Sequence, residues 1–111
     1  MDPAAHPELS QAINQLWRRH LAEILARVNV LEDAAARVCS GGALTPQQRE
    51  EAISAAHKLA GVLGSFGLEK GTALARECET LYARKDGPGV VNGPQLASLA
   101  AELRILVENR E

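Results

Sequence analysis

Apolar residues recur at steps of three and four positions along the first third of the chain. The stripe consists of Leu9, Ile13, Leu16, Trp17, Leu21, Ile24, Leu25, Val28, Leu31, Ala35 and Val38. Because an α-helix completes one turn every 3.6 residues, this spacing places the stripe on one helix face. The segment begins near Pro7, which suits a first helical turn, and stops at Gly41-Gly42. We expect one helix of about 30 residues, although two helices broken within residues 7–16 would give a similar pattern.

A second helix is predicted to start at the segment Thr45-Pro46-Gln47-Gln48. Thr45 can cap the helix, Pro46 fits its first turn, and Gln48 completes a capping box. The helix is expected to end within residues 65–67. Its apolar positions are Ile53, Ala56, Leu59, Ala60 and Leu63.

Two further helices are predicted in the remainder of the chain. The third starts near Glu69, and its expected core face is Leu74, Cys78 and Leu81. A loop containing Gly and Pro follows over residues 85–93. Pro94 then opens the last helix. The apolar side of that helix carries Leu96, Leu99, Leu103, Leu106 and Val107.

Four amphipathic helices with short connections favour an all-α fold, an antiparallel up-and-down four-helix bundle with a long first helix. No segment alternates apolar and polar residues over the length of a strand. The sequence contains no internal repeat or low-complexity tract. We therefore expect a single bundle domain over residues 7–111, preceded by a flexible N-terminus at residues 1–6.

Composition excludes several classes of protein. The formal net charge is −2, so the chain has no basic field that would attract nucleic acid. No apolar run approaches the roughly 18 residues that a membrane span needs, and the first residues do not have the pattern of a signal peptide. Cys39 and Cys78 form no C-x-x-C pair and are interpreted as reduced residues of a cytoplasmic protein.

His57 is the candidate functional residue, because Gly61 and Gly64 follow it on the same helix face. Each glycine inside a helix costs roughly 0.5–1 kcal/mol relative to Ala, so something is expected to approach the backbone closely there. Ser54 lies on the same side, whereas Leu59 and Leu63 lie opposite, so His57 should point outward. From the residues alone, a functional site and tight helix packing are about equally good explanations of the glycines.

The segment Ala56–Leu81 resembles the signature of histidine-containing phosphotransfer (HPt) domains. That signature is a histidine, an aliphatic residue two positions later, and glycines four and ten positions later, followed by a helix with a leucine and a small residue or cysteine. The matching residues are His57, Leu59, Gly61, Gly67, Leu74 and Cys78. The predicted four-helix bundle is also the fold of that family.

The resemblance implies a phosphoryl carrier of a two-component phosphorelay. His57 would accept a phosphoryl group from a receiver-domain aspartate and pass it to another receiver. The receiver would belong to a response regulator or a hybrid histidine kinase and would supply Mg²⁺. The chain itself has no P-loop, no nucleotide-binding glycine loop and no acidic cluster suited to Mg²⁺. We therefore expect no intrinsic cofactor, metal or ATP site, and a phosphoryl carrier rather than an autonomous kinase. We also expect a monomer.

The chain departs from the family pattern near the histidine. Family members commonly carry a lysine three residues after the histidine, where this chain has Ala60, so the nearby cation on the helix is Lys58. Some members place a glutamine on the next helix, and ungapped counting puts Glu79 there. A carboxylate would disfavour the phosphorylated state unless Arg76 offsets its charge. The sequence leaves open whether Arg76 or Glu79 faces His57.

Three alternative functions are weaker. A related helical module could bind a receiver without accepting phosphate, and a buried or locked His57 would indicate it. A histidine kinase dimerisation domain usually has an acidic residue after its histidine, and Lys58 does not fit. A metal or haem bundle needs two or more ligands at helical spacing, which His6, His20 and His57 do not provide.

Overall fold

The computed structural model describes residues 7–110. The expected flexible N-terminus at residues 1–6 lies outside the described residues, as does Glu111. Residues 7–110 contain no strand, and a single 3₁₀ turn at Val90–Asn92 precedes the last helix. The helices are α1 (Pro7–Cys39), α2 (Pro46–Ser65), α3 (Glu69–Ala83) and α4 (Gly93–Glu108). Each packs against the helix before and after it in the chain, and α4 returns to α1, which confirms the predicted four-helix bundle.

The first helix is unbroken and longer than the bundle that packs against it. It has 33 residues, whereas α2 has 20, and the long dimension of the molecule is 49 Å. The first turns of α1 therefore extend past the ends of its neighbours. Leu9 and Leu16 were predicted to belong to the apolar stripe that packs on the core, but both are exposed. Leu9 lies in these first turns. Leu16 lies beside the buried stripe, which begins at Trp17 and continues at Ile24 and Leu31.

Short sequence signals set both ends of α2. The predicted capping box is present: the Gln48 backbone N–H donates to Thr45 Oγ1 at 3.0 Å, and the Thr45 N–H donates to Gln48 Oε1 at 2.9 Å. At the other end, Gly67 has a φ of +76°, a conformation that side chains with a Cβ rarely adopt. The chain reverses there, so the second half of α2 faces the first half of α3.

The core is apolar, and its composition on α3 differs in part from the sequence prediction. Cys78 and Leu81 are buried as expected, but Leu74 is half-buried. The buried stripe centres on positions 71, 75, 78 and 82, which places Leu74 at its edge. Burial, together with the nearby charge of Glu77, raises the pKa of the Cys78 thiol to about 12, so this thiol is protonated at neutral pH.

Polar and aromatic contacts connect the helices at the surface of the bundle. Arg104 of α4 donates to both carboxylate oxygens of Glu32 on α1, at 2.7 and 2.6 Å. At one end, the Trp17 and Phe66 rings meet edge to face with centroids 5.1 Å apart. The Arg110 guanidinium lies 4.7 Å from the Trp17 centroid. This end layer joins α1 to the residues that follow α2 and α4.

Candidate functional site

His57 lies in the middle of α2 and points away from the core. Its side chain is 75% exposed, whereas Ala56, Leu59, Ala60 and Leu63 around it are buried. This orientation is the one predicted from the small residues on its face. The imidazole is therefore accessible to another molecule.

Glu79 of α3 holds one nitrogen of the imidazole. His57 Nδ1 lies 2.9 Å from Glu79 Oε2. Because an ionised carboxylate has only acceptor atoms, Nδ1 is the donor in this pair. In the neutral ring the proton then lies on Nδ1, and the lone pair of Nε2 is free to act as a nucleophile. Within residues 7–110, Nε2 has no hydrogen-bond partner.

The imidazole lines an open pocket of about 350 Å³ between α2 and α3, which we call the histidine pocket. The sequence left open whether Arg76 or Glu79 faces His57, and the structure shows that both line this pocket. Glu79 contacts His57 directly, and Arg76 contributes a positive charge to the same pocket. In the described part of the chain, Arg76 makes no ion pair. The pocket is lined by His57, Ala60, Gly61, Arg76, Glu79 and Thr80.

The two glycines after His57 have different surroundings. A Cβ added at Gly61 would meet no atom within 4 Å, so the backbone is open to an approaching molecule there. A Cβ at Gly64 would lie 3.1 Å from Thr72 Oγ1 of α3. At Gly61 the absence of a side chain leaves the backbone open on the solvent side. At Gly64 it makes room for the neighbouring helix α3.

Ser54 and Lys58 lie on the other side of α2, toward α1. They line a separate depression of about 240 Å³ together with Arg27 and Glu51. Neither lines the histidine pocket. The exposed face of α2 thus extends from Ser54 and Lys58 near α1, across Gly61, to His57 near α3.

Sequence reasoning did not single out Thr80 or Ala60 as pocket residues. Thr80 lies four residues after Arg76 and donates to its carbonyl oxygen at 3.0 Å, so helical spacing from Arg76 was the available signal. Ala60 occupies the position of the usual family lysine. Its small side chain leaves the space that the pocket occupies.

Residues 7–110 contain no group of three or more His, Cys, Asp or Glu side chains arranged to hold a metal ion.

Every helix within residues 7–110 is too short or too polar to span a bilayer.

Comparison with known proteins identifies a family that matches this chain. The Hpt domain family matches residues 8–109. Protein RcaC of Microchaete diplosiphon is 33% identical over 92 residues. That alignment covers 83% of this chain but only 14% of RcaC, so the chain corresponds to a small part of the relative. No solved structure matches the chain significantly.

Proposed function

Because the chain belongs to the Hpt domain family, whose members are histidine phosphotransfer modules that work with receiver domains in phosphorelays, we propose that His57 is its phosphoryl acceptor. In this proposal His57 takes the group from the aspartate of one receiver domain and passes it to another. One exposed histidine is sufficient for each transfer, so a monomer can perform it. The observation that carries the proposal is that the imidazole is exposed and hydrogen-bonded through Nδ1 alone. A histidine locked through both nitrogens would have indicated a module that only binds a receiver, whereas here Nε2 stays accessible.

The proposed transfer uses the free lone pair of Nε2. Nε2 attacks the phosphorus of the aspartyl phosphate, the bond from phosphorus to the aspartate oxygen breaks, and the aspartate leaves as a carboxylate. The imidazole ring becomes positively charged as the N–P bond forms. Glu79 stabilises that charge through the Nδ1 hydrogen bond. In the second transfer, an aspartate of the next receiver attacks the phosphorus, and Nε2 leaves with its lone pair.

In this proposal the guanidinium of Arg76 compensates the negative charge of the phosphoryl group on His57. A phosphoryl group carries about −1.5 to −2 charges near neutral pH, and Glu79 alone would repel it. A guanidinium can bind two phosphoryl oxygens at once, and Arg76 lines the pocket beside His57. Arg76 would thus replace the lysine that the family commonly carries at the position of Ala60. The receiver is expected to supply Mg²⁺ for the transfer itself.

The exposed face of α2 is the proposed docking surface for the receiver. Gly61 lies near its centre and has open space above its backbone, which allows close approach of the partner. Ser54 and Lys58 flank Gly61 on the α1 side. Gly64, on the α3 side, is the fourth residue of this surface and is exposed as well.

Phosphotransfer from a receiver tests the proposal directly. The chain is incubated with a phosphorylated receiver and Mg²⁺, and acid-labile phosphate on the chain is measured. We expect His57→Gln to abolish labelling and His20→Gln, which changes a histidine of α1 outside the pocket, to leave it unchanged. Labelling of the His57→Gln variant would refute the proposal. Tight receiver binding by the unaltered chain without any phosphohistidine would indicate a non-catalytic binding module instead.

The role of Arg76 has its own matched test. Arg76→Gln and Lys58→Gln each remove one positive charge from the neighbourhood of His57. A charge-assisted hydrogen bond contributes about 1.5–3 kcal/mol, so we expect Arg76→Gln to lower the equilibrium level of phosphohistidine roughly tenfold or more. Lys58→Gln, on the α1 side, should change it less than about threefold. An equal or larger effect of Lys58→Gln would contradict the assignment to Arg76.

A further inference from the structure

We propose that Thr72 is a positioning residue of the phosphotransfer site. It holds α3 against α2 at the place that brings Glu79 to Nδ1 of His57, and its role in transfer rests on the function proposed above. Thr72 does not line the histidine pocket. Its hydroxyl donates to the carbonyl oxygen of Ala60 at 2.8 Å, across the interface between the helices.

This contact is unusual among the hydroxyl groups near the site. Ser65 donates to the carbonyl of Gly61 and Thr80 to that of Arg76, each four residues earlier in its own helix. That is the common arrangement for Ser and Thr within a helix, and it fixes nothing between helices. Thr72 instead bonds to a residue twelve positions earlier, on the neighbouring helix.

The surrounding residues leave Thr72 little freedom. A Cβ added at Gly64 would lie 3.1 Å from the Thr72 hydroxyl oxygen, so the absence of a side chain at Gly64 makes the room in which Thr72 fits. Next to it, a Cβ at Gly71 would lie 2.9 Å from Leu63 Cδ1. Leu63 is fully buried, so a side chain at position 71 would require it to repack within the core. Two glycines, one on each helix, thus let the backbones approach to the distance that the Thr72 hydrogen bond needs.

Because helices α2 and α3 are rigid, the contact between Thr72 and Ala60 also fixes the position of Glu79 relative to His57. Glu79 follows Thr72 by seven residues, two helical turns along the same face of α3. His57 precedes Ala60 by three residues, about one turn of α2. At the far end of α3, Arg49 of α2 donates from Nε to the Tyr82 carbonyl at 2.7 Å. The contact between Glu79 and His57 therefore lies between two anchors, and Thr72 is the one near the start of α3.

The test reads the tautomer of His57 before any phosphate is added. The ¹⁵N chemical shifts of Nδ1 and Nε2 report which nitrogen carries the proton. We expect Thr72→Val, which keeps the shape but removes the donor, to shift the ring toward a mixture of tautomers. Thr72→Ser, which keeps the donor, should restore the unaltered signals. Ser65→Ala removes a hydroxyl that bonds only within α2 and serves as the matched control without effect.

Transfer rates then show whether Thr72 acts through Glu79. Thr72→Val should slow phosphotransfer about fivefold, as expected for one lost hydrogen bond. In a Glu79→Ala background the same substitution should cause no further loss, because the group that it positions is absent. Unchanged ¹⁵N shifts in Thr72→Val, or an equal loss in both backgrounds, would overturn the inference.

A second variant separates positioning from folding. Gly64→Ala keeps the Thr72 hydroxyl, raises helix propensity and displaces Thr72 by a few tenths of an ångström. The variant should still fold, because the gain in helix propensity opposes the cost of that displacement, and it should shift the His57 tautomer. Unaltered ¹⁵N shifts in folded Gly64→Ala would count against the inference. Absence of transfer in every protein, with the tautomer response intact, would refute the proposed function but support the coupling between Thr72 and Glu79.

Discussion

Glycines bring the backbones of α2 and α3 close together, whereas a long polar side chain bridges α1 and α4 at the surface of the bundle. Gly71 lies against Leu63, and Gly64 lies against Thr72, so the backbones of α2 and α3 approach closely. On the other side of the bundle, Arg104 bridges from α4 to Glu32 of α1. The first arrangement allows little displacement, whereas a flexible arginine can follow small shifts of its helix.

The more closely packed interface is the one that positions the residues of the histidine pocket. The α2–α3 interface determines where Glu79 and Arg76 lie relative to His57, and a displacement of about 1 Å at a reacting group is costly. The α1–α4 interface has no residue in the histidine pocket. We therefore expect changes at α1–α4 to alter stability alone, and changes at α2–α3 to alter the proposed transfer as well.

The largest expected effect on stability comes from Leu103→Ala in α4. Leu103 is fully buried, and truncation of a buried leucine costs about 3 kcal/mol. Urea denaturation should show that loss in the free energy of unfolding. Phosphotransfer measured at a temperature where the variant is fully folded should remain within about twofold of normal. A larger loss of transfer by the folded variant would break the proposed division between the two interfaces.

A smaller loss of stability is expected when leucine replaces the glycine in the α2–α3 interface. In Gly71→Leu the new side chain would collide with Leu63, and overpacking of this kind costs about 2 kcal/mol. The displaced helix should also disturb the contact between Glu79 and His57. Urea denaturation and the ¹⁵N shifts of His57 measure the two effects. Unaltered stability would show that α2 and α3 are less tightly packed than the geometry indicates.

Gly61→Leu is the matched control on the exposed face. The added side chain meets open space, and replacing glycine within a helix gains up to about 0.8 kcal/mol. Stability should be unchanged or slightly higher, while receiver binding should weaken at least about tenfold because the docking surface is obstructed. Receiver binding at the unaltered affinity would exclude Gly61 from the docking surface.

The helices were predictable because their signals are local. The 3.6-residue period indicated α1, and the capping box at Thr45 marked the start of α2 within a few neighbouring residues. Burial was less predictable, since it depends on what lies opposite each helix. Leu9 follows the period but lies in the first turns of α1, and Leu16 follows it but lies beside the stripe that the other helices cover. No local pattern shows where those helices lie.

The same division applies to the candidate site. The outward orientation of His57 followed from the small residues on its own helix. The choice between Arg76 and Glu79 did not, because it depends on the register between α2 and α3. That register rests on contacts such as Thr72 with Ala60, twelve residues apart in the sequence. Helical periodicity describes each helix alone and carries no information about such a pair.

The smallest expected effect concerns acid stability at the α1–α4 interface. The hydrogen bond from Arg104 lowers the pKa of the Glu32 carboxyl below its ordinary value of 4.5, more than burial raises it. A lowered folded-state pKa stabilises the protein at pH values above the ordinary one, and this contribution disappears as the pH falls through the folded-state pKa. Glu32→Gln should therefore lower Tm at about pH 7, but by less than Leu103→Ala or Gly71→Leu.

The pH dependence distinguishes this ion pair from a general effect of charge. As the pH falls below 4.5, the Tm difference between Glu32→Gln and the unaltered chain should shrink toward zero. Glu102→Gln serves as the control, since Glu102 is an exposed carboxylate of α4 without an ion pair in residues 7–110. Its Tm difference should be small at every pH. A Tm difference for Glu32→Gln that persists in acid would show that the side chain stabilises α1 and α4 by packing rather than by its charge. Phosphotransfer should stay normal in both variants, because neither Glu32 nor Glu102 lines the histidine pocket.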